Sequence, residues 1–408
     1  MSGSTGRYDY LDGIRAVAIL AVLSLHWLSW YTPFLHGGSI GVDLFFVLSG
    51  FIITTVLWRA DLSGGGAWWS FIRRRVVRLY PALLGLVAGT MVIYAVVPGA
   101  PDSLTQLLHR GVIAVSQDSA VWAAAQHGNL FLPSLQPFGQ TWSLAVEWYF
   151  YLLWPVAVFV ARRRGWRARR LSVVALVSAA VLYAVALPLG TFVFYFGPAA
   201  RFAELLVGGA LALWLRERPS DATAPRSLNA TAAVALVAVA AYTLLAPSAT
   251  SVAYRAVGLP LAVLAGVVLI VAGYAAPTGP VQRLLGHRWL AGIGRASYSL
   301  YLWHLVPLLL LQDALPRVPM AVTGLIVVAA TAVLTAASYA LLERPFLKPR
   351  SDLLTPSSST PRTASSSRRP SAAALLRLRP MRVAAIARSA APEAPAESSS
   401  AKNAPNLG

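Results

Sequence analysis

Apolar residues in this chain come in long unbroken runs, not in the alternating or helical stripes of a soluble domain. Ten such runs fall at about 11–31, 41–58, 76–97, 142–160, 171–189, 199–215, 229–246, 257–275, 294–312 and 320–342. Most are close to the ~20 residues that an α-helix needs to cross the hydrocarbon of a bilayer. The pattern predicts an all-α, polytopic membrane protein with about ten transmembrane helices. The first run is too long for the apolar core of a cleavable signal peptide, and further spans follow it. It reads LDGIRAVAILAVLSLHWLSWY and is interrupted by Arg15 and His26. Eleven residues make about three turns plus ~20°, so both side chains share one face, ~16 Å apart along the axis. Each costs a few kcal/mol inside a span, so the pair predicts a polar pathway.

Residues 104–129 are partly apolar but contain His109, Arg110, Gln117, Asp118 and His127. Counting them as a span would invert every later loop, so they are expected outside, as an interfacial or re-entrant element. A lid or acceptor-recognition element and ordinary loop packing fit them equally well. From Ser351 the chain is rich in Ser, Pro, Ala and Arg, the composition of a disordered tail. Within it, Ala373 to Arg388 has the makings of a short basic amphipathic segment, interrupted by Pro380.

Composition agrees with the pattern. Charged residues are 12% of the 408, against about 25% in soluble chains, and the mean hydropathy is +0.62. The net charge of +19 would suggest nucleic acid for a soluble protein. Here its arginines cluster in short loops (Arg59 with Arg73 to Arg78, Arg162 to Arg170, Arg216 to Arg226, Arg283 to Arg295) and in the tail. That is the positive-inside pattern; it places both termini in the cytoplasm and makes the lipid bilayer, not nucleic acid, the partner. Arginine outnumbers lysine 32 to 2, a bias of GC-rich coding that points to a bacterial plasma membrane and not to a function. The absence of cysteine removes disulfides, thiolate metal sites and a cysteine nucleophile. No zinc spacing, P-loop, nucleophile elbow or dinucleotide fingerprint occurs, and no metal is expected.

Four clusters carry candidate chemistry. Asp43, near the outer end of the second span, is expected level with His26, where a carboxylate would orient the imidazole; a helix N-terminal carboxylate is the plainer reading. Glu147, in QTWSLAVEWYFYLLWP, is expected at the same level, and an interfacial aromatic belt accounts for its neighbours but not for the carboxylate. Arg74, Arg75 and Arg78 form a compact guanidinium group at the inner end of the third span. They are either membrane anchors or a bidentate cradle for a nucleotide phosphate. Tyr298, Tyr301 and His304, at i, i+3 and i+6, loosely share a face; a structural role and a cavity-lining one both fit.

Taken together, YLDGIRAVAILAVLSLHW, GGSIGVDLFFVLSGFIIT, the arginines of RRVVR, QTWSLAVEWYFYLLWP and YSLYLWH resemble the acyltransferase 3 family of multi-pass membrane acyltransferases. The likeness runs from about residue 8 to 345, leaving 346–408 as the basic cytoplasmic tail. It implies transfer of an acyl group, usually acetyl, from cytoplasmic acyl-CoA to a hydroxyl or amine. The family's R-x10-H pair maps onto Arg15 and His26, and its cytoplasmic arginine motif onto Arg74, Arg75 and Arg78. Many members carry two adjacent carboxylates where this chain has Glu147 and Trp148, so only one is retained. Some relatives append an esterase-like domain; only low-complexity sequence follows here, and the standalone form is expected.

The resulting expectation is His26 as general base, oriented by Asp43 or Glu147. Arg15 and the arginine cluster serve the acyl-CoA donor, and Tyr301 and His304 the acceptor. A cell-envelope glycan is the first acceptor considered and a secondary metabolite such as a macrolide the alternative. A transporter or flippase without bond-making is the rival class.

Overall fold

In a computed structural model, the described residues are 3–29, 32–61, 66–97, 100, 102–125, 132–217, 226–249, 251–275, 279–314 and 318–347. The sequence-predicted tail, with its 373–388 segment, lies outside them. Among the described residues all regular structure is helical. In order the helices are α1 (Gly3–Leu28), α2 (Ile40–Arg59), α3 (Ala67–Val96), α4 (Leu104–Val115), α5 (Ser119–Ala125), α6 (Trp142–Arg163), α7 (Ala168–Ala186) and α8 (Thr191–Phe196). They continue with α9 (Pro198–Arg216), α10 (Arg226–Leu245), α11 (Leu259–Ala275), α12 (Pro280–Leu285), α13 (Arg288–Arg295), α14 (Ser297–Trp303), α15 (Leu305–Ala314) and α16 (Met320–Ser338).

Nine helical segments among these are long and apolar enough to cross a membrane, so the chain is a polytopic membrane protein. The tenth expected span, 294–312, is instead the shorter broken helix α14–α15, interrupted at His304. Pro307 has no amide hydrogen and cannot donate to the carbonyl of Trp303 four residues back, and its ring crowds that carbonyl. Two neighbouring carbonyls are met by side chains: Gln140 Nε2 donates to Leu302 at 2.6 Å and Trp27 Nε1 to His304 at 3.1 Å. Side chains from outside the broken helix thus meet two carbonyls at the break, the kind of pairing that hydrocarbon favours.

Two further sequence expectations meet the structure here. Residues 104–125 form two short helices, α4 and α5, too short to span. Leu104, Leu108 and Val112 make an exposed apolar stripe on α4, which suits an interfacial position. The third span begins at Ala67, nine residues before the expected start, so the arginine cluster lies within α3 and not ahead of it.

The core is built around α1, α2, α6, α9 and α14, while α10 and α16 turn side chains such as Val234, Val237, Leu325 and Val333 outward. Very close packing joins α2 to α9. A Cβ at Gly50 would stand 1.9 Å from the carbonyl oxygen of Leu205, and one at Gly208 1.9 Å from that of Val47. Small residues permit this close approach, the usual means of helix association in a membrane. Arg59, Arg162 and Arg216 gather at one end of the bundle. There Arg162 caps α2 by donating to Leu57 and Ala60 at 3.1 and 2.7 Å, and Arg295 meets Asp9 at 3.3 Å. Gly208→Val is expected to lower folded stability by at least about 1–3 kcal/mol, because the obstacle is backbone and cannot rotate away. Thermal denaturation of the detergent-solubilised protein, followed by size exclusion, checks it.

Candidate active site

Two cavities lie along the axis of the bundle. The first is lined by Arg15 and Ser297, by Val42, Phe45, Ser49 and Ile53 of α2, by Arg75 and Arg78 of α3, by Ser143, Glu147 and Tyr151 of α6, and by Tyr301 of α14. From Val42 to Ile53 it follows α2 for eleven residues, ~16 Å of helix. The second is lined by His26, His36, Ser39, Val42, Gln140, Trp142, Tyr195, Tyr301 and Leu305. Each has a cavity volume of about 90 Å3, small beside the ~300–1,000 Å3 of ordinary ligand sites, so both are narrow. Val42 and Tyr301 line both and form the wall between them.

The arginine cavity takes its polarity from three helices. On α3, Phe71 and Ile72 are buried, and Arg75 and Arg78, about one and two turns on from Phe71, turn inward, while Arg74 is exposed and lies outside the lining. Arg75 stacks over Phe71 and Tyr151 at 5.1 and 5.4 Å, a contact that holds a guanidinium without neutralising it. Arg15 donates from Nε to Ser297 Oγ at 3.1 Å. Glu147 accepts from Ser49 at 2.6 Å and from Tyr151 at 2.7 Å.

At the other cavity His26 has a different partner from those expected. Its Nδ1 lies 3.0 Å from the carbonyl of Val22 and 3.3 Å from Nε2 of His304, with the rings 4.9 Å apart. A carbonyl can only accept, so the Val22 contact puts the His26 proton on Nδ1 and the ring lone pair on Nε2. His304 is fixed in the same way: its Nδ1 stands 2.7 Å from the carbonyl of Tyr301, which leaves Nε2 to accept from His26. Its fully buried ring is thus part of the His26 site. Tyr301 donates to the carbonyl of Gln140 at 2.9 Å and accepts from Ser143 at 2.8 Å.

The expected pairing of His26 with Asp43 or Glu147 is corrected by this geometry. Asp43 follows Val42 by ~100° of helix rotation. With Val42 facing the cavities, its carboxylate turns toward α9, where Arg201 donates to it and Tyr254 donates at 2.8 and 2.9 Å. Glu147 stands beside Ser49, nine residues into α2 and therefore near mid-span. His26, by contrast, is two residues from the end of α1. The carboxylate lines the arginine cavity and the histidine lines the other.

Three acidic and basic groups escaped the sequence reading. Arg201 and Glu204 are fully buried on α9, 2.8 Å apart, so one guanidinium serves both Glu204 and Asp43. Charged residues at i and i+3 inside an apolar run are the same signal that singled out Arg15 and His26, and would have found them. Glu343, just beyond α16, is 1% exposed, accepts from Ser299 at 2.8 Å and lies within electrostatic reach of Arg15 and Arg78. It sits in a one-turn π-helical segment, Tyr339–Glu343, a distortion common near functional sites. No group of three or more metal-ligating side chains occurs among the described residues.

The fold and the cavities define a multi-pass helical membrane protein with a polar interior, arginines at one end and a histidine pair at the other. The chain belongs to the acyltransferase 3 family, whose acyltransferase-domain model matches residues 8–343. It is 32% identical over 359 residues to YrhL of Bacillus subtilis, covering 82% of this chain and 54% of that protein. It is 31% identical over 359 residues to the peptidoglycan O-acetyltransferase OatA of Listeria monocytogenes, with 83% and 55% covered. To the O-acetyltransferase OatA of Staphylococcus aureus it is 28% identical over 357 residues, with 83% and 57% covered. The chain thus spans about half the length of these relatives. No solved structure matches it.

Removing the α9 cation tests the structural assignment of Asp43. Arg201→Ala leaves two carboxylates buried without their counter-charge and is expected to cost about 3–5 kcal/mol, read as a large fall in the thermal midpoint in detergent.

Proposed function

We propose that this protein is a membrane O-acyltransferase. It moves an acyl group, acetyl first among them, from cytoplasmic acyl-CoA to a hydroxyl of a cell-envelope glycan at the bacterial plasma membrane. The observation that carries the reading is the cavity that runs from Arg75 and Arg78 to the Val42–Tyr301 wall, behind which His26 stands. A CoA headgroup carries phosphates that cannot enter hydrocarbon and suit guanidinium forks. The clustering of basic loops at that end supports its placement in the cytoplasm. The pantetheine arm is thin and extended, and the ~16 Å of cavity along α2 suits it. The peptidoglycan acetyltransferases among the relatives support a glycan acceptor.

In this reading Arg75 and Arg78 hold donor phosphates, Arg15 lines the donor path and Arg74 serves at its mouth. His26 is the general base. Its Nε2 takes the proton of the acceptor hydroxyl as that oxygen attacks the thioester carbonyl. When the tetrahedral adduct collapses, the carbon–sulfur bond breaks and the imidazolium returns the proton to the departing CoA sulfur. His304 assists by accepting from Nδ1, which fixes the tautomer and steadies the positive charge as it forms.

His26→Gln is expected to reduce transfer by about 10²–10⁴-fold in proteoliposomes supplied with acetyl-CoA, while binding of desulfo-CoA persists. Arg75→Ala with Arg78→Ala is expected to weaken desulfo-CoA binding at least about tenfold, the loss of ~1.5–3 kcal/mol in charged hydrogen bonds. Near-normal transfer by His26→Gln would remove the base assignment. Vectorial movement of a substrate without any acylated product would make the protein a transporter. Mass spectrometry of envelope glycans and extracted metabolites from a deletion strain identifies the acceptor, and a lost acyl group on a metabolite instead would redirect the acceptor class.

A further inference from the structure

The wall between the cavities has a consequence for which acyl groups can cross it. Among the described residues Val42 and Tyr301 alone line both spaces, and each is less than a tenth exposed. The tyrosine is held on both sides of its hydroxyl, donating to the Gln140 carbonyl and accepting from Ser143. Its ring is fixed as well, 6.5 Å from Phe45 on the arginine side and 5.6 Å from His304 on the other. The rings of Phe45, Tyr301, His304 and His26 are thus in successive contact, with Phe45 lining the arginine cavity and His26 the other.

A thioester entering by its CoA headgroup at the arginines would approach this wall with the acyl end leading. For its carbonyl to reach His26, every carbon beyond that carbonyl must already have passed Val42 and Tyr301. Those carbons then occupy the same space as the acceptor hydroxyl, in a cavity whose walls include Tyr195, Trp142 and Gln140. An acetyl group brings one methyl through; a butyryl group brings two further methylenes. Resting on the acyl-transfer reading above, we infer that Val42 and Tyr301 form a septum that sets donor chain length and restricts transfer to the shortest acyl groups. Val42 supplies the narrowing, since its branched side chain is stiff, and Tyr301 supplies the movable leaf, anchored by two hydrogen bonds that must yield as the donor passes.

The test uses inverted membrane vesicles from the native host, which hold the acceptor whatever its identity. A deletion strain is complemented with wild type, Val42→Ala, Val42→Leu or Tyr301→Phe. Acetyl-CoA or butyryl-CoA is supplied, and protein-dependent acylated products are quantified by mass spectrometry. Since a methylene in a shaped pocket commonly discriminates by about 10-fold or more, wild type is expected to favour acetyl by at least that factor. Val42→Ala should erode the preference about tenfold, Val42→Leu should sharpen it, and Tyr301→Phe, which keeps the ring but loses both anchors, should relax it. Acetyl transfer that persists with an unchanged acetyl-to-butyryl ratio in all three variants overturns this inference alone. A wild type that transfers neither group overturns the acyl-transfer reading and the septum with it.

Discussion

A hydroxyl, imidazole or carboxylate carried into an apolar slab loses its water and must find a protein partner, at a cost of several kcal/mol if it fails. The arrangement of this bundle follows from that requirement. Gln140 and Trp27 donate to the Leu302 and His304 carbonyls beside the break near Pro307. Arg201 answers two carboxylates at once, and Tyr254 completes the set. Glu147 is held between a serine and a tyrosine.

The partner each group finds separates residues that look alike in the sequence. Asp43 and Glu147 are both acidic side chains in apolar spans, and proximity to the outer end made each a candidate partner for His26. Rotation about the α2 axis decided the first: one residue beyond Val42, the carboxylate points at α9. Depth decided the second, since Ser49 fixes Glu147 near mid-span. Neither rotation nor depth can be read from a run of apolar letters without knowing the neighbouring helix. His304 shows the converse. Its spacing from Tyr301 suggested a shared face, yet its pairing with a residue 278 positions away is a property of the packed bundle alone.

What was legible came from composition and from exceptions to it. Long apolar runs told the fold class and nearly all the spans, and the alternation of basic loops told the non-spanning character of 104–125. Arg15 and His26 stood out because so little else in the first span is polar, and α3 disclosed its arginines though not which ones turn inward. Phe71 and Ile72 settle that, by burying the face that Arg75 and Arg78 continue. Arg201 and Glu204 went unread although the same exception marks them, because they lie close to the start of their span, where charge is less costly.

The two faces of α2 have opposite mechanical characters. One is clamped to α9 by Gly50, Gly208 and the Asp43–Arg201 contact, with backbone against backbone and no slack to give. The other carries Val42, Phe45, Ser49 and Ile53 along the length of the arginine cavity. That makes α2 a stator: a fixed rail against which a passing chain can be registered. On the opposing side α14 ends in a break at which Gln140 and Trp27 donate to the Leu302 and His304 carbonyls. Trp27, on the same helix as His26, makes one of those contacts, so the broken helix is tied to the helix that bears His26.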